Sequence, residues 1–493
     1  MGTPSQRQLI YALDDRPPFG RAVLLALQHV LTMFGATVAV PLLLGPAMGM
    51  DATQIGMLVS SVMLCSGMAT FLQATLGSRL PIVQGVSFSF LAAFFYIILT
   101  VEDRGGDHRE MMQCIAGAII VGALVEITIG FAGIISAVRR FLSPVVVGPV
   151  IMLIGLALFQ HGAPKAGTDW TISGLTIVLV ILFTFVLSRQ NRWFRMFPIL
   201  LTLLCMMTIC WGLSATGVYH PAGLDAAGQP IAASPAYVDL STFHNSKWLR
   251  TDPGEVLLPW GRPKFESGFI LAVLAGYLAS MIESFGDYHA CSHMAGGGEP
   301  TPSQISRGIG CEGIGCLLTG LFGGFSSTSY SENIGLIGLT RVASRYVIQI
   351  GAVLLIIVGF VAKFGALAAA IPGPVIGGLY CTLFGLISAV GIQQLVKCDL
   401  NSDRNLFVAG FSLFMGLSVP AYFESVVDPQ VAGQIKAAYL PTSQSLLSQL
   451  PSDLANMVVA VGKSGMAVAA LIGLTLDNLI PGTPEERGLK AEP

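Results

Sequence analysis

Three carboxylates in apolar surroundings are the side chains of this 493-residue sequence best placed to do chemistry. Glu283 and Asp287 stand four apart in SMIESFGDYHA, a spacing that puts both on one face of a helix. Glu332 follows in SENIGLIGLT, after the turn-forming stretch SSTSYS. An ionisable group in an apolar segment is costly, so each demands a partner, an ion or a substrate. Acids that share a low-dielectric site repel one another, and a proton held by one of them relieves the repulsion. That is a basis for proton coupling. Asp287 lies where the apolar run gives way to Tyr288 and His289, so a solvated helix end is its alternative setting. Glu283, between Met281, Ile282 and Phe285, is read as a site residue.

Other polar residues in apolar runs carry less. Gln28 and His29 lie in RAVLLALQHVLTMFGA, where a lone histidine more often packs through a hydrogen bond than carries a proton. Phe88 and Phe90 in QGVSFSF are core aromatics by type, or a face on which a flat ligand stacks. Glu126 and Glu312 are read as structural, and Lys363 and Lys463 have no evident partner. The nine cysteines are spread through apolar segments with no zinc-type CxxC pair, so they are read as packing residues. No HExxH, GxSxG or P-loop pattern is present, so neither an enzyme nor a metal centre is expected.

The elements that must position the acids are set by composition. The chain is 53% hydrophobic and 11% charged, with mean hydropathy +0.72, whereas soluble domains carry about 25% charge. It is an integral membrane protein. With 26 Lys+Arg against 28 Asp+Glu, the net charge of −2 offers no basic footprint, which excludes nucleic acid as a partner. The polar start MGTPSQRQLIYALDDRPPFG has no apolar stretch before Arg21, so no cleavable signal peptide is expected.

A crossing of roughly 30 Å of hydrocarbon needs about 20 helical residues. Eleven segments qualify: 22–45, 55–77, 115–137, 143–162, 171–188, 196–215, 267–289, 347–371, 374–396, 405–422 and 454–477. Three Gly- and Ser-rich stretches, 82–101, 308–324 and 326–340, bring the expected number to fourteen. An even number puts both termini on one side. With that side inside, sixteen Lys and Arg fall inside and eight outside, four of the latter in the long 216–266 loop. Both termini are therefore expected to be cytoplasmic.

The two halves of seven spans superpose in sequence. Pro144, Val145, Gly148, Gly155 and Leu156 match Pro374, Val375, Gly378, Gly385 and Leu386 at an offset of 230. Cys65, Gly67, Leu72 and Gly77 match Cys311, Gly313, Leu318 and Gly323 at 246, and Phe34-Gly35 matches Phe285-Gly286 at 251. An odd number of spans per repeat makes the repeat inverted, and it pairs the third span with the tenth. These two are interrupted by Gly, Ser, Gln and Glu. Interrupted backbone at membrane depth is tolerated where it lines a cavity or is buried in protein, which points to a transporter with its site near the midplane.

Glu332, Asn333, Gly335, Thr340 and Arg341 form E-N-x-G-x-x-x-x-T-R, which resembles the signature of the nucleobase-ascorbate transporter family, the second nucleobase:cation symporter family. Gln28-His29, QGVSF at 84–88, ESFGDY at 283–288 and PVIGG at 374–378 also fit it, so the resemblance runs over nearly the whole chain. It implies an all-α polytopic fold of fourteen segments in two inverted seven-segment repeats, with short antiparallel strands in segments 3 and 10. It divides the chain into a cytoplasmic N-terminus (1–21), a core (22–137 and 267–371; segments 1–4 and 8–11), a gate (138–215 and 372–477; segments 5–7 and 12–14), an exterior loop (216–266) and a cytoplasmic C-terminus (478–493). The gate would also form a homodimer.

Carried over residue by residue, the resemblance implies that Glu283 and Glu332 accept hydrogen bonds from nucleobase N–H groups. The backbone amides of Phe88 and Ser331 would donate to base carbonyls, Phe88 and Tyr330 would pack on the ring, and Phe384 would approach from the gate. His29, with Gln28, Asn333, Thr340 and Arg341, would orient the acids, and Glu283, Asp287, Glu332 and His29 would handle the coupled proton. A flat ring edged with amide-like donors and acceptors suits carboxylates, strand amides and an aromatic face. Uracil-type members often carry His where this chain has Asp287, and xanthine-type members carry Gln where it has Glu332. Ascorbate-type members carry Pro at the signature's first position. The combination here implies uptake of uracil, with a range extending to xanthine or uric acid, across the cell membrane. The coupling ion would be H⁺, with Na⁺ the alternative, and no cofactor is implied. A related anion exchanger or channel is the other transporter this architecture allows.

Overall fold

The computed structural model describes residues 9–134, 143–224 except 158, 192, 195 and 196, 230–427, and 458–489 except 459–460 and 463–464. Arg7, Arg139, Arg140, Arg192, Arg195, Lys436, Lys463, Lys490 and the stretch 428–457 lie outside the described residues. The first helices are α1 (Phe19–Ala47) and α2 (Ala52–Thr75), followed by strand β1 (Gln84–Val86), a 3₁₀ turn at Phe88–Phe90, α3 (Leu91–Asp103) and α4 (His108–Phe131). Then come α5 (Pro144–Ala157), α6 (Phe159–Ala166), α7 (Trp170–Ile181) and α8 (Pro198–Ala215). The long loop holds β2 (Gly223–Leu224), β3 (Pro230–Ile231), α9 (Ser241–Asn245) and α10 (Pro253–Val256). The second half has α11 (Ser267–Met294), α12 (Pro302–Phe322), β4 (Ser327–Ser329), α13 (Ser331–Thr340), α14 (Arg345–Phe360), α15 (Ala362–Ala369), α16 (Gly373–Leu395), α17 (Asp403–Val427) and α18 (Gly465–Leu479).

Among the described residues, seven helices are long and apolar enough to cross a membrane, or eight if a pair bent by 85° after Ala369 counts as one span. The stretch 347–371, expected as one helix, is two: α14 with α15. This break has a tertiary cause. The loop segment Trp248–Arg250 pairs its backbone there, with Arg250 N–H donating to Phe360 O at 2.9 Å and Ala362 N–H to Trp248 O at 3.1 Å. Arg250 is buried, and its guanidinium donates to Ser61 Oγ of α2 at 3.1 Å, to Glu255 O of α10 and to Gly359 O, one of the carbonyls that the end of α14 leaves open. Lys363 donates to the Phe243 carbonyl at 2.7 Å and lies near the rings of Phe243 and Trp248.

The described chain forms two compact units. The first comprises residues 1–86, 159–259 and 283–383, and the second 87–158, 260–282 and 384–493. At the centre of the first, α2 runs against α12, α14 and α15. Apolar side chains alone do not drive helices together in lipid, so close backbone approach between small residues does much of this work. A Cβ at Gly365 would stand 2.0 Å from Gly56 O, one at Gly359 2.6 Å from Leu64 N, and one at Gly67 2.8 Å from Ala352 O. Helices α2 and α12 each begin with a capping box, Asp51 with Gln54 and Thr301 with Gln304.

In the second unit, α5, α17 and α18 pack together, and a buried ion cluster ties their ends. Asp477 accepts from Arg404 Nη2 at 2.9 Å, Arg487 Nη2 at 2.7 Å and Ser143 Oγ at 2.7 Å. Glu126, in α4 of this unit, is fully buried.

The two buried strands pair with each other. β1 and β4 are antiparallel in the register Gln84 with Ser329, Gly85 with Thr328 and Val86 with Ser327. Six buried residues form the pair, with Thr70 of α2 donating to Gln84 O at 3.2 Å and accepting Gln84 N–H at 2.9 Å. Polar backbone at this depth is thus paired, strand to strand and strand to helix, as a bilayer requires.

Candidate functional site

The site is built where α11, α12 and the strand pair of the first unit meet. Tyr330 follows β4 directly and locks it to β1: its N–H donates to Val83 O at 3.0 Å, its hydroxyl donates to Val86 O at 2.9 Å and accepts from Thr37 Oγ1 at 3.1 Å. The ring crosses β1 at Gly85, where a Cβ would stand 2.4 Å from it. Gly85 is therefore a steric requirement of the strand pair, not a conformational one.

Asp287 is buried, with 7% of its surface exposed, which removes the solvated helix end as its setting. Its two oxygens accept from Ser329 Oγ and Ser331 Oγ, both at 2.7 Å. These bonds to a charged acceptor are short and strong, and they join α11 to the strand and to the first turn of α13. One helical turn earlier, Ser284 receives Ser329 N–H at 3.3 Å and donates to Glu312 at 2.7 Å. Glu283, one helical turn before Asp287, is half-buried.

Glu312, read from the sequence as structural, is the centre of a buried network whose members the sequence did not name. It is 1% exposed and accepts from Ser284 Oγ, from Tyr288 Oη at 3.0 Å and from Gln84 Nε2 at 3.2 Å. Tyr288 Oη in turn accepts from Gln73 Nε2 at 2.6 Å. A carboxylate inside GCEGIGC had to have such partners, and that cost was the available signal. The partners themselves come from α2, β1 and α11, too far along the chain for spacing to reveal.

Glu332, in the first turn of α13, opens on a cavity of about 280 Å³. The walls are Leu31 and Thr32 of α1, Phe197 to Leu200 at the start of α8, and Gly335, Leu336 and Leu339 of α13. Glu332 is the one charged group on an otherwise almost wholly apolar wall. His29 and Asn333 are both buried and bonded together: Asn333 Nδ2 donates to His29 O at 2.9 Å and faces His29 Nδ1 at 3.2 Å. Because an amide nitrogen is a donor, that contact needs Nδ1 as acceptor and the proton on Nε2. Gln28 is half-buried on α1.

Thr340 and Arg341 stand at the far end of α13, eight and nine residues beyond Glu332, or about 12 Å along the axis. There they end the helix. Arg341 is left-handed at φ 59° and its carbonyl accepts Ile10 N–H at 2.8 Å, while Thr340 Oγ1 donates to Leu336 O at 2.9 Å. Phe88, half-buried at the start of the 3₁₀ turn, and Phe384, buried in α16, belong to the second unit. Among the described residues, no cluster of three or more His, Cys, Asp or Glu has the spacing to hold a metal ion.

A largely helical chain with many apolar spans, whose buried carboxylates gather around a strand pair in interrupted spans, is a polytopic membrane transporter. The chain belongs to the nucleobase-ascorbate transporter family, since a model of that permease family matches residues 20–425. It is 37% identical to mouse solute carrier family 23 member 2, over 99% of this chain and 77% of that protein. It is 36% identical to nucleobase-ascorbate transporter 2 of Arabidopsis thaliana, over 98% of this chain and 90% of that one. These relatives are named as carriers and transporters, not as enzymes, and this chain is likewise a transporter. Among solved structures, the transmembrane domain of a cyanobacterial bicarbonate transporter matches 77% of this chain and 97% of its own with a TM-score of 0.53 at 14% identity, which is a likeness of fold alone.

Proposed function

We propose that the protein is a secondary active importer of a nucleobase, uracil with a range extending to xanthine or uric acid, driven by a co-transported proton. The observation that carries this reading is the joining of Asp287, through Ser329 and Ser331, to the strand pair and the helix that bears Glu332. A neutral, flat ring is recognised by its edge and its faces. Glu283 and Glu332 accept from ring N–H groups, the amides of Phe88 and Ser331 donate to ring carbonyls, and Phe88, Tyr330 and Phe384 supply apolar surface. The family's name also covers ascorbate, but a carboxylate at position 332 suits a base N–H better than an anionic lactone, which it would repel.

Glu283, with Glu332 or Asp287, takes up the proton that enters with the base. Its loss on the cytoplasmic side restores repulsion among the acids and releases the ligand. Na⁺ in the proton's place is the alternative. The motion is an elevator-like passage of a core (22–137 and 267–371) against a gate (138–215 and 372–477) that forms the homodimer. The segments number fourteen in two inverted repeats, a reading supported by strands from the third and tenth segments pairing with each other. Both termini face the cytoplasm and the membrane is the cell membrane.

The test is uptake. Glu283→Gln should abolish accumulation of labelled uracil and xanthine while the protein still reaches the membrane, and full uptake by the variant refutes the assignment. Alkalinisation of the medium on adding base separates H⁺ coupling from Na⁺ coupling.

A further inference from the structure

A second cavity of about 400 Å³ lies at the other end of α8, lined by Trp211, Ser214 and Ala215 of that helix and by Tyr237 to Ser241 and His244 of the long loop. Small-molecule sites run from about 300 to 1,000 Å³, so its size admits a one- or two-ring ligand. Helix α8 has 18 residues, which makes it about 27 Å long, close to the thickness of the hydrocarbon layer. Its first residues wall the Glu332 cavity and its last ones wall this cavity, so the two lie toward opposite faces of the bilayer within one unit.

The lining has a definite chemistry. Trp211 presents a flat ring that is 55% exposed although it belongs to a spanning helix. Asp239 uses one oxygen to accept Ser241 N–H at 2.8 Å, and among the described residues its other oxygen has no partner. His244 Nδ1 faces Leu240 O at 2.8 Å and must carry a proton to bond it, which leaves Nε2 as a free acceptor on the neutral ring. Ser214 is occupied, donating to Cys210 O and accepting Val238 N–H, and so holds the loop against α8. An open indole face, a free carboxylate oxygen and a free imidazole nitrogen accept N–H donors from a flat ring and stack on it.

From this geometry we propose a second recognition site for a flat, N–H-bearing heterocycle of the nucleobase class, formed by Trp211, Asp239 and His244 on the loop face. The ligand class rests on the transport function proposed above. A site there holds the base at the membrane face opposite Glu332, and raises its concentration where it enters.

The experiment is calorimetric titration of the purified full-length protein with uracil and with xanthine. Wild type should show two classes of site. Trp211→Ala combined with Asp239→Asn should weaken one class about tenfold or more, the loss expected when a base loses its stacking platform, and leave the other unchanged. Asparagine keeps the oxygen that caps Ser241, so the loop should stay folded. Base-induced quenching of indole emission in wild type, lost in Trp211→Phe, reports the same site without a change of fold. A single class of site in wild type, or an isotherm of the double variant that superposes on wild type, overturns the proposal. Glu283→Gln should abolish the other class alone, and if it leaves all binding intact the transport assignment fails while the loop site stands.

Discussion

Tyr288→Phe tests whether the buried network behind the strand pair has the structural weight assigned to it. The hydroxyl does two things: it accepts from Gln73 Nε2 at 2.6 Å and donates to Glu312 Oε2 at 3.0 Å. Its removal leaves the Gln73 amide fully buried with no partner on either atom, because Gln73 Oε1 already has none among the described residues. A buried donor left unsatisfied costs about 1–3 kcal/mol, and a lost bond to a charged group about 1.5–3 kcal/mol. Glu312 keeps Ser284 and Gln84, and hydrogen bonds between membrane helices average nearer 0.6 kcal/mol in double-mutant cycles, so the lower ends apply. The expected loss is about 2–3 kcal/mol.

The sign of a second substitution separates this account from simple loss of packing. Gln73→Leu in the Tyr288→Phe background removes the orphaned amide and should recover about 1–2 kcal/mol, whereas in wild type the same change should destabilise by about 1 kcal/mol. The assay is reversible unfolding of the four proteins in mixed micelles at fixed detergent composition. A Tyr288→Phe protein within about 0.5 kcal/mol of wild type refutes the reasoning, since that is the usual scale of a substitution without consequence. So does a Gln73→Leu change that is equally unfavourable in both backgrounds, because the two side chains would then not be coupled.

Glu332→Gln should shift selectivity from pyrimidine toward purine, read by competition of unlabelled uracil and xanthine for uptake; unchanged competition counts against Glu332 as a specificity residue. Gly85→Ala should impair uptake and destabilise by about 1–3 kcal/mol, the cost of overpacking, because its Cβ would lie 2.4 Å from the Tyr330 ring; normal uptake and stability would mean that Tyr330 can move aside freely. Arg250→Lys should lower stability by about 1–2 kcal/mol, since one ammonium cannot span Ser61, Gly359 and Glu255 as the guanidinium fork does; a melting curve equal to wild type would remove the loop anchor.

The features legible in the sequence were those with a local cost. Glu283 and Asp287 at a four-residue spacing, and Gly, Ser and Gln breaking the runs at 82–101 and 326–340, announced a polar site because lipid tolerates neither. The strands themselves were implied by the family resemblance; backbone that leaves the helix at membrane depth must find partners, and the two broken runs provide them for each other. What stayed hidden was set by contacts between distant segments. The run 347–371 has no residue that must end a helix, and it breaks at Val361 because the loop backbone at 248–250 pairs with it. Glu312 carried the same local cost as Glu283, yet its role depends on Gln84, 228 residues away, and on Tyr288 oriented by Gln73, 215 residues away. Glu312 and Glu332 therefore differ in a way no single-sequence pattern reports. Glu312 is spent on holding β4 and α11 in place through Ser284, while Glu332 lines a cavity with little polar company. A carboxylate enclosed by three donors is suited to positioning, and one left facing open space is suited to a ligand.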